Sequence, residues 1–214
     1  MNLTLYLVTN RDGLTDEQFL HTIDRACAGG VTMVQLREKN CSGREYFELA
    51  QKAKVVTEMY NVPLIIDDRV DIAMAVGAAG VHLGQEDMPV KYARNIMGQK
   101  AIIGATTKTV LQAKTALEEG ASYLGVGAIF PTTTKVKTVI TSVDTLNDIA
   151  CDTGLPIVAI GGLNCDNMNV LRGSRANGIA VVTAIMKSED AFVAASELRE
   201  KADKFISNNK AFFV

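Results

Sequence analysis

The sequence predicts an α/β chain folded as a single (β/α)8 barrel, the TIM-barrel architecture, over residues 1–214. Three observations predict it. Eight short runs rich in β-branched and aliphatic residues recur along the chain, and longer segments with helical spacing lie between them. Small-residue turns such as Ala28-Gly29-Gly30, Ala78-Ala79-Gly80 and Gly120-Ala121 punctuate the joins. Strands separated by helices pair in parallel, because each crossover needs room for a helix. An open doubly wound sheet shares this alternation, but eight repeats favour closure, and the length sits near the lower end for a barrel.

The elements follow in order. Leu3–Thr9 reads as the first strand. Thr15–Ala28 reads as a helix: Thr15 is an N-cap type, Phe19, Leu20, Ile23 and Ala26 recur at helical spacing, and Gly29-Gly30 ends it. Strands are expected at Val31–Glu38, Pro63–Asp68, Gly80–Gly84, Ala101–Thr106, Tyr123–Ile129, Pro156–Gly162 and Gly178–Ile185. Glu45–Tyr60, Val70–Val76, Val110–Glu119 and Ser188–Ser207 carry helical spacing. No linker, low-complexity tract or second domain interrupts the pattern.

Composition narrows the partners. A net charge of -2 gives no general attraction to nucleic acid or an anionic membrane, so anion chemistry must come from local clusters. The opening MNLTLYLVTN has no basic segment followed by a long apolar run, and no stretch approaches the roughly 18 apolar residues of a membrane span. A soluble cytoplasmic protein acting on small molecules is expected, without nucleic acid or membrane. Cys27, Cys41, Cys151 and Cys165 lack paired spacing and read as reduced thiols. The C-terminal Ala211-Phe-Phe-Val214 is suited to cover the barrel or an interface, and a homo-oligomer is compatible with it.

In a closed parallel barrel the chemistry sits where the strands end. Strand two ends Gln35-Leu36-Arg37-Glu38-Lys39, and alternation puts Gln35, Arg37 and Lys39 on one face with Leu36 opposite. Cations in a barrel mouth call for anionic partners. Strand three ends in Asp67-Asp68, and the next loop adds Gln85-Glu86-Asp87. These acids suit either helix caps or Mg2+, which takes few protein carboxylates and completes its shell with water and phosphate oxygens. His82, alone in its strand, reads as a satisfied structural residue. Strand five ends Gly104-Ala-Thr-Thr-Lys108, and strand six runs into FPTTTKVK, Phe130–Lys137. Strand seven ends in Gly161-Gly162, and strand eight supplies small residues, the usual place for a barrel phosphate cradle. Two kinds of anion equipment emerge. Arg37, Lys39, Lys135 and the Asp68/Asp87 pair suit a pyrophosphate; Thr132, Thr134, Gly162 and the strand-eight backbone suit a phosphate monoester.

The segments VQLREKN (Val34–Asn40), IIDDRVDIAMAVGAAGVHLGQEDMP (Ile65–Pro89), IIGATT (Ile102–Thr107), GVGAIFPTTTK (Gly125–Lys135), AIGGLN (Ala159–Asn164) and GIAVVTAI (Gly178–Ile185) occur in the order seen in thiamine-phosphate synthases, which the chain resembles over nearly its whole length. The resemblance implies a (β/α)8 barrel that joins a hydroxymethylpyrimidine diphosphate to a thiazole phosphate, releasing pyrophosphate with Mg2+ as cofactor. It implies that Gln35, Leu36, Arg37, Glu38 and Lys39 hold the pyrimidine diphosphate, with Asp67 and Thr106 contacting it. It further implies Asp68 and Asp87 as metal ligands. Thr132, Thr133, Thr134, Gly162, Val182 and Thr183 would hold the thiazole phosphate, and Lys135 would reach the pyrophosphate. Arg37, Lys39 and Lys135 are then the catalytic cations.

The chain departs from the family pattern at four places. Asp67 stands where Asn is usual, Thr106 replaces Ser, Ala128 replaces a common Pro, and the loop after Lys135 reads Val-Lys-Thr-Val-Ile. The same residues admit three rival readings. A related thiazole tautomerase needs neither the paired acids nor the Gln35/Arg37/Lys39 face. A Schiff-base aldolase would use Lys135, whose neighbours are hydroxyls and Lys137 rather than an apolar niche. A non-catalytic precursor-binding protein would bind tightly without Mg2+-dependent pyrophosphate release.

Overall fold

The computed structural model describes residues 1–132 and 139–212, with side chains through Ile206. Eight parallel strands close on themselves in sequence order, β8 pairing with β1. They are β1 (Leu5–Val8), β2 (Met33–Leu36), β3 (Leu64–Asp67), β4 (Gly80–Leu83), β5 (Ile102–Thr107), β6 (Tyr123–Val126), β7 (Ile157–Ile160) and β8 (Gly178–Val181). Between them run α1 (Asp16–Ala28), α2 (Gly43–Met59), α3 (Val70–Val76), α4 (Val90–Met97), α5 (Val110–Glu118), α6 (Val143–Thr153), a 3-10 turn (Met168–Leu171), α7 (Thr183–Met186) and α8 (Ala191–Phe212).

Alternation along each strand divides the core in two. On β1, Tyr6 and Val8 point into the barrel with Met33, Ile65, Tyr123 and Val158, while Leu5 and Leu7 pack outward under the helices. Both faces are covered, which is why the strands read as near-continuous apolar runs. Helix entry is set by capping. Thr15 on α1 and Ser42 on α2 each accept from the backbone N–H three residues on, with Gln18 and Glu45 reaching back to the cap.

The sequence expectation needs correcting at several strand ends, β2 and β6 among them, which span Met33–Leu36 and Tyr123–Val126. The strand expected over Gly178–Ile185 stops at Val181, and Val182 and Thr183 open the short α7 instead. Strand seven stops at Ile160, because Gly161 (φ 105°) and Gly162 (φ 62°) turn into the left-handed region. Helices α4 and α6 were not legible as separate segments.

Candidate active site

Side chains from the carboxyl ends of the strands surround a chamber of about 600 Å3. Its floor begins at β2. Gln35 points inward and donates from Nε2 to the Tyr6 hydroxyl at 2.9 Å. Beyond the strand, the backbone N–H of Arg37 donates to Thr9 Oγ1 at 3.1 Å, continuing the ladder with a side chain. The Tyr46 hydroxyl, on α2, donates to Leu36 O at 2.7 Å and lies 3.2 Å from Asp67 O. One phenol thus ties together the ends of β2 and β3, which carry the charged groups.

Asp67 is buried at 7% exposure and ion-pairs with Lys39 Nζ at 3.0 Å, with Arg37 Nε 3.7 Å away. Burial, and then the neighbouring Asp68 carboxylate, push its carboxyl up to about 6. Two cations thus face the carboxylate that stands where the family pattern has Asn. Asp68 turns sharply out of the strand with φ 60°, a conformation Asp tolerates better than most residues, and its carboxylate also pairs with Lys39. Asp87 arrives from the loop after β4, where Oδ2 accepts from Gly84 N at 2.7 Å. Burial and the adjoining Asp68 raise its carboxyl too.

Among the described residues, the opposite half of the rim is neutral. Thr132, Gly162, Val182 and Thr183 all line the same chamber. A Cβ on Gly162 would lie 2.7 Å from Pro131 O, so only glycine lets the β7 turn close against the β6 loop. Asn167 Nδ2 donates to Gly162 O at 2.8 Å and holds that turn.

The structure brings together Gln35, Arg37, Lys39, Asp67, Asp68, Asp87, Thr106, Thr132, Gly162, Val182 and Thr183. Thr133, Thr134 and Lys135 lie outside the described residues. Two others, Leu36 and Glu38, lie on the chamber's boundary segment but turn their side chains elsewhere. Leu36 is fully buried among the outward-facing core residues, so its side chain cannot reach the chamber. Glu38 turns away as well: Oε2 sits 3.5 Å from Arg11 Nε, in a neighbouring polar cleft that also meets Arg37 and Lys39. The strand period decides Leu36, and the Arg11 pair holds Glu38, which lies past the end of β2. Sequence reasoning missed Thr9, Tyr46, Tyr6 and Tyr123. For the two inward tyrosines the signal was a polar tip at barrel-facing parity in an otherwise apolar strand. His82 is satisfied, as expected, by Tyr123 and Thr106, but it also lines the chamber.

The donor set fits a hard divalent cation. Asp68 and Asp87 adjoin each other at the rim, and their mutual repulsion is part of what raises Asp87. Among the described residues no three acidic, His or Cys side chains gather as a cage, so an ion here would complete its shell with water or phosphate oxygens, the habit of Mg2+.

The fold and the divided rim define the class: a closed (β/α)8 barrel with charged and polar side chains gathered where its strands end. The family described as thiamine monophosphate synthase matches residues 5–185. The thiamine-phosphate synthase of Clostridium tetani is 48% identical over 198 residues, covering 92% of this chain and 95% of that protein. The Enterococcus faecalis protein of the same name is 51% identical over 187 residues, covering 87% and 88%. The solved thiamine phosphate pyrophosphorylase of Pyrococcus furiosus superposes with a TM-score of 0.87 at 36% identity, covering 95% of this chain and 97% of that one. A 3-hexulose-6-phosphate synthase, at 15% identity and TM-score 0.72, shares the fold alone. The chain belongs to the thiamine-phosphate synthase family.

Proposed function

We infer that this enzyme joins 4-amino-2-methyl-5-(diphosphooxymethyl)pyrimidine to a thiazole phosphate, giving thiamine phosphate and pyrophosphate, and that it does so in the chamber described above. The observation that carries the assignment of the site is the convergence of Arg37, Lys39, Asp68 and Asp87 on one side of a single rim with Thr132, Gly162 and Thr183 on the other. The charged side suits a diphosphate and the neutral side a monoester.

Arg37 and Lys39 bind the diphosphate and offset charge as it departs, with Lys135 added from the sequence pattern. Substrate entry would exchange the Lys39–Asp67 and Lys39–Asp68 pairs for pairs with phosphate oxygens. Asp68 and Asp87 would hold Mg2+, which when bound there supplies positive charge to the diphosphate oxygens. Gln35 and Thr106 orient the pyrimidine ring. Thr132, Thr133, Thr134, Gly162 and the Val182-Thr183 backbone seat the thiazole phosphate, so that its ring nitrogen faces the pyrimidine methylene. The C–N bond forms as the C–O bond to the diphosphate breaks, and the aminopyrimidine shares the positive charge left on the methylene. No protein nucleophile is needed.

The paired acids and the Arg37/Lys39 face support the synthase over a tautomerase, which has no diphosphate to handle. A cytoplasmic location belongs to the same reading and fits the four free thiols. The test is formation of thiamine phosphate and pyrophosphate from both substrates, with Mg2+ and with chelator. Equal turnover under chelation contradicts the metal assignment, and no product in either condition contradicts the activity.

A further inference from the structure

A continuous line of buried hydrogen bonds crosses the chamber floor. Gln35 Nε2 meets the Tyr6 hydroxyl at 2.9 Å, Tyr6 meets the Tyr123 hydroxyl at 2.8 Å, Tyr123 meets His82 Nδ1 at 2.9 Å, and His82 Nε2 meets Thr106 Oγ1 at 2.9 Å. Five strands each contribute one member. Both phenols are nearly inaccessible, and burial pushes both well above the ordinary tyrosine range, so each keeps its proton. Gly104 makes room for the line: a Cβ there would lie 2.2 Å from the Tyr123 ring and 2.4 Å from His82 Nδ1.

The direction of the line follows from its first member. An amide NH2 can only donate, so the Tyr6 oxygen accepts from Gln35. The single Tyr6 proton then has one partner left, the Tyr123 oxygen. The Tyr123 proton goes in turn to His82 Nδ1. That leaves the imidazole proton on Nε2, donated to Thr106 Oγ1, and frees the Thr106 hydroxyl proton for the chamber that Thr106 lines. With Gln35 Nε2 placed toward Tyr6, reversing any single link strands a buried hydroxyl proton without an acceptor, which is costly; only turning that amide over would reverse the whole line. At the other end, the Gln35 amide is held with Nε2 toward Tyr6, leaving Oε1 for the chamber.

We propose that Tyr6, Tyr123 and His82 are positioning residues that lock the polarity of the chamber floor, so that Gln35 presents an acceptor and Thr106 a donor to the ring of the diphosphate substrate. The proposal rests on the reading of this chamber as the pyrimidine site. A heterocycle with an exocyclic amino donor and a ring-nitrogen acceptor matches such a floor. One with a carbonyl in place of the amino group meets Gln35 oxygen to oxygen.

The test starts with the ligand-free full chain carrying 15N-histidine, in mildly alkaline buffer. The chain has two histidines, and the exposed His21 is assigned with His21→Gln. Long-range 15N–1H correlation is expected to show His82 protonated at Nε2. Gln35→Glu puts an acceptor-only carboxylate at the head of the line and is expected to reverse every link, moving the His82 proton to Nδ1. Wild-type His82 protonated at Nδ1, or a tautomer unmoved by Gln35→Glu, overturns the proposal. In steady-state assays, Tyr123→Phe is expected to raise KM for the pyrimidine diphosphate roughly tenfold without changing KM for the thiazole phosphate. An equal rise in both overturns the positioning role. If Tyr123→Phe does not fold, the wild-type and Gln35→Glu spectra still decide. Wild-type protein that makes no thiamine phosphate would defeat the functional reading while leaving the tautomer result intact.

Discussion

The β2–β4 side of the rim and the β6–β8 side, each proposed to hold an anion, are built by opposite means. On the first side Arg37, Lys39, Asp67, Asp68 and Asp87 are crowded and paired with one another. On the second, the described residues offer a hydroxyl, a glycine turn and the start of a short helix, with no ion pair among Thr132, Gly162, Val182 and Thr183. Charge held in internal pairs can be handed to a ligand and taken back when the ligand leaves. Neutral donors bind a phosphate without gripping it, and suit the group that remains in the product. On the proposed reading, the difference teaches that two phosphorylated groups would be told apart by how charge is stored at each end of the chamber.

The strongest way to break this comparison is to strip charge from the first side alone. Asp68→Ala is expected to lower single-turnover pyrophosphate release by about 10²–10³ while the thermal midpoint stays near wild type. Unchanged rates would remove the acid pair from the mechanism.

Asp67→Asn sharpens the comparison through stability. The folded-state carboxyl is raised from 3.8 to about 6, so its contribution to stability is fully present below the lower value and is lost as pH rises through the higher one. In metal-free, substrate-free protein, Asp67→Asn should therefore gain about 2–3 kcal/mol above that window and lose the decline across it. Denaturant titrations at several pH values read both, and a destabilised variant at neutral pH would show that the Lys39 and Arg37 pairs outweigh the burial.

The neutral side is probed by Gly162→Ala, which adds a Cβ 2.7 Å from Pro131 O at a left-handed backbone. A loss of about 1–3 kcal/mol in stability is expected, with weaker thiazole phosphate binding and unaltered pyrophosphate affinity. Tyr46→Phe should have the smallest effect, about 1 kcal/mol in stability, because it removes one hydroxyl proton shared between the Leu36 and Asp67 carbonyls and keeps the ring.

Much of this was legible in the sequence because the barrel repeats its own grammar. Eight apolar runs and their turns announced closure, and strand parity correctly turned Gln35, Arg37 and Lys39 inward. Leu36 and Glu38, which the family pattern includes with their neighbours, turn their side chains away from the chamber, which leaves only their backbone to face it. What stayed hidden depends on contacts between distant positions. Nothing near Tyr46 in the chain shows that its hydroxyl reaches the ends of two strands. The Gln35–Tyr6–Tyr123–His82–Thr106 line joins residues from five strands, so no local pattern carries it. The ion pairs that answer Asp67 likewise arise only when β2 and β3 lie side by side. The end of β8 was misread because Val182 and Thr183 are β-branched, and tertiary placement overrode their strand propensity.

The most direct test of the division of labour is calorimetric titration of wild-type and Arg37→Ala protein with pyrophosphate plus Mg2+ and, separately, with thiazole phosphate. The account predicts that Arg37→Ala weakens pyrophosphate binding at least about tenfold and leaves thiazole phosphate within about twofold. Equal losses for both ligands, or a loss confined to thiazole phosphate, would contradict it.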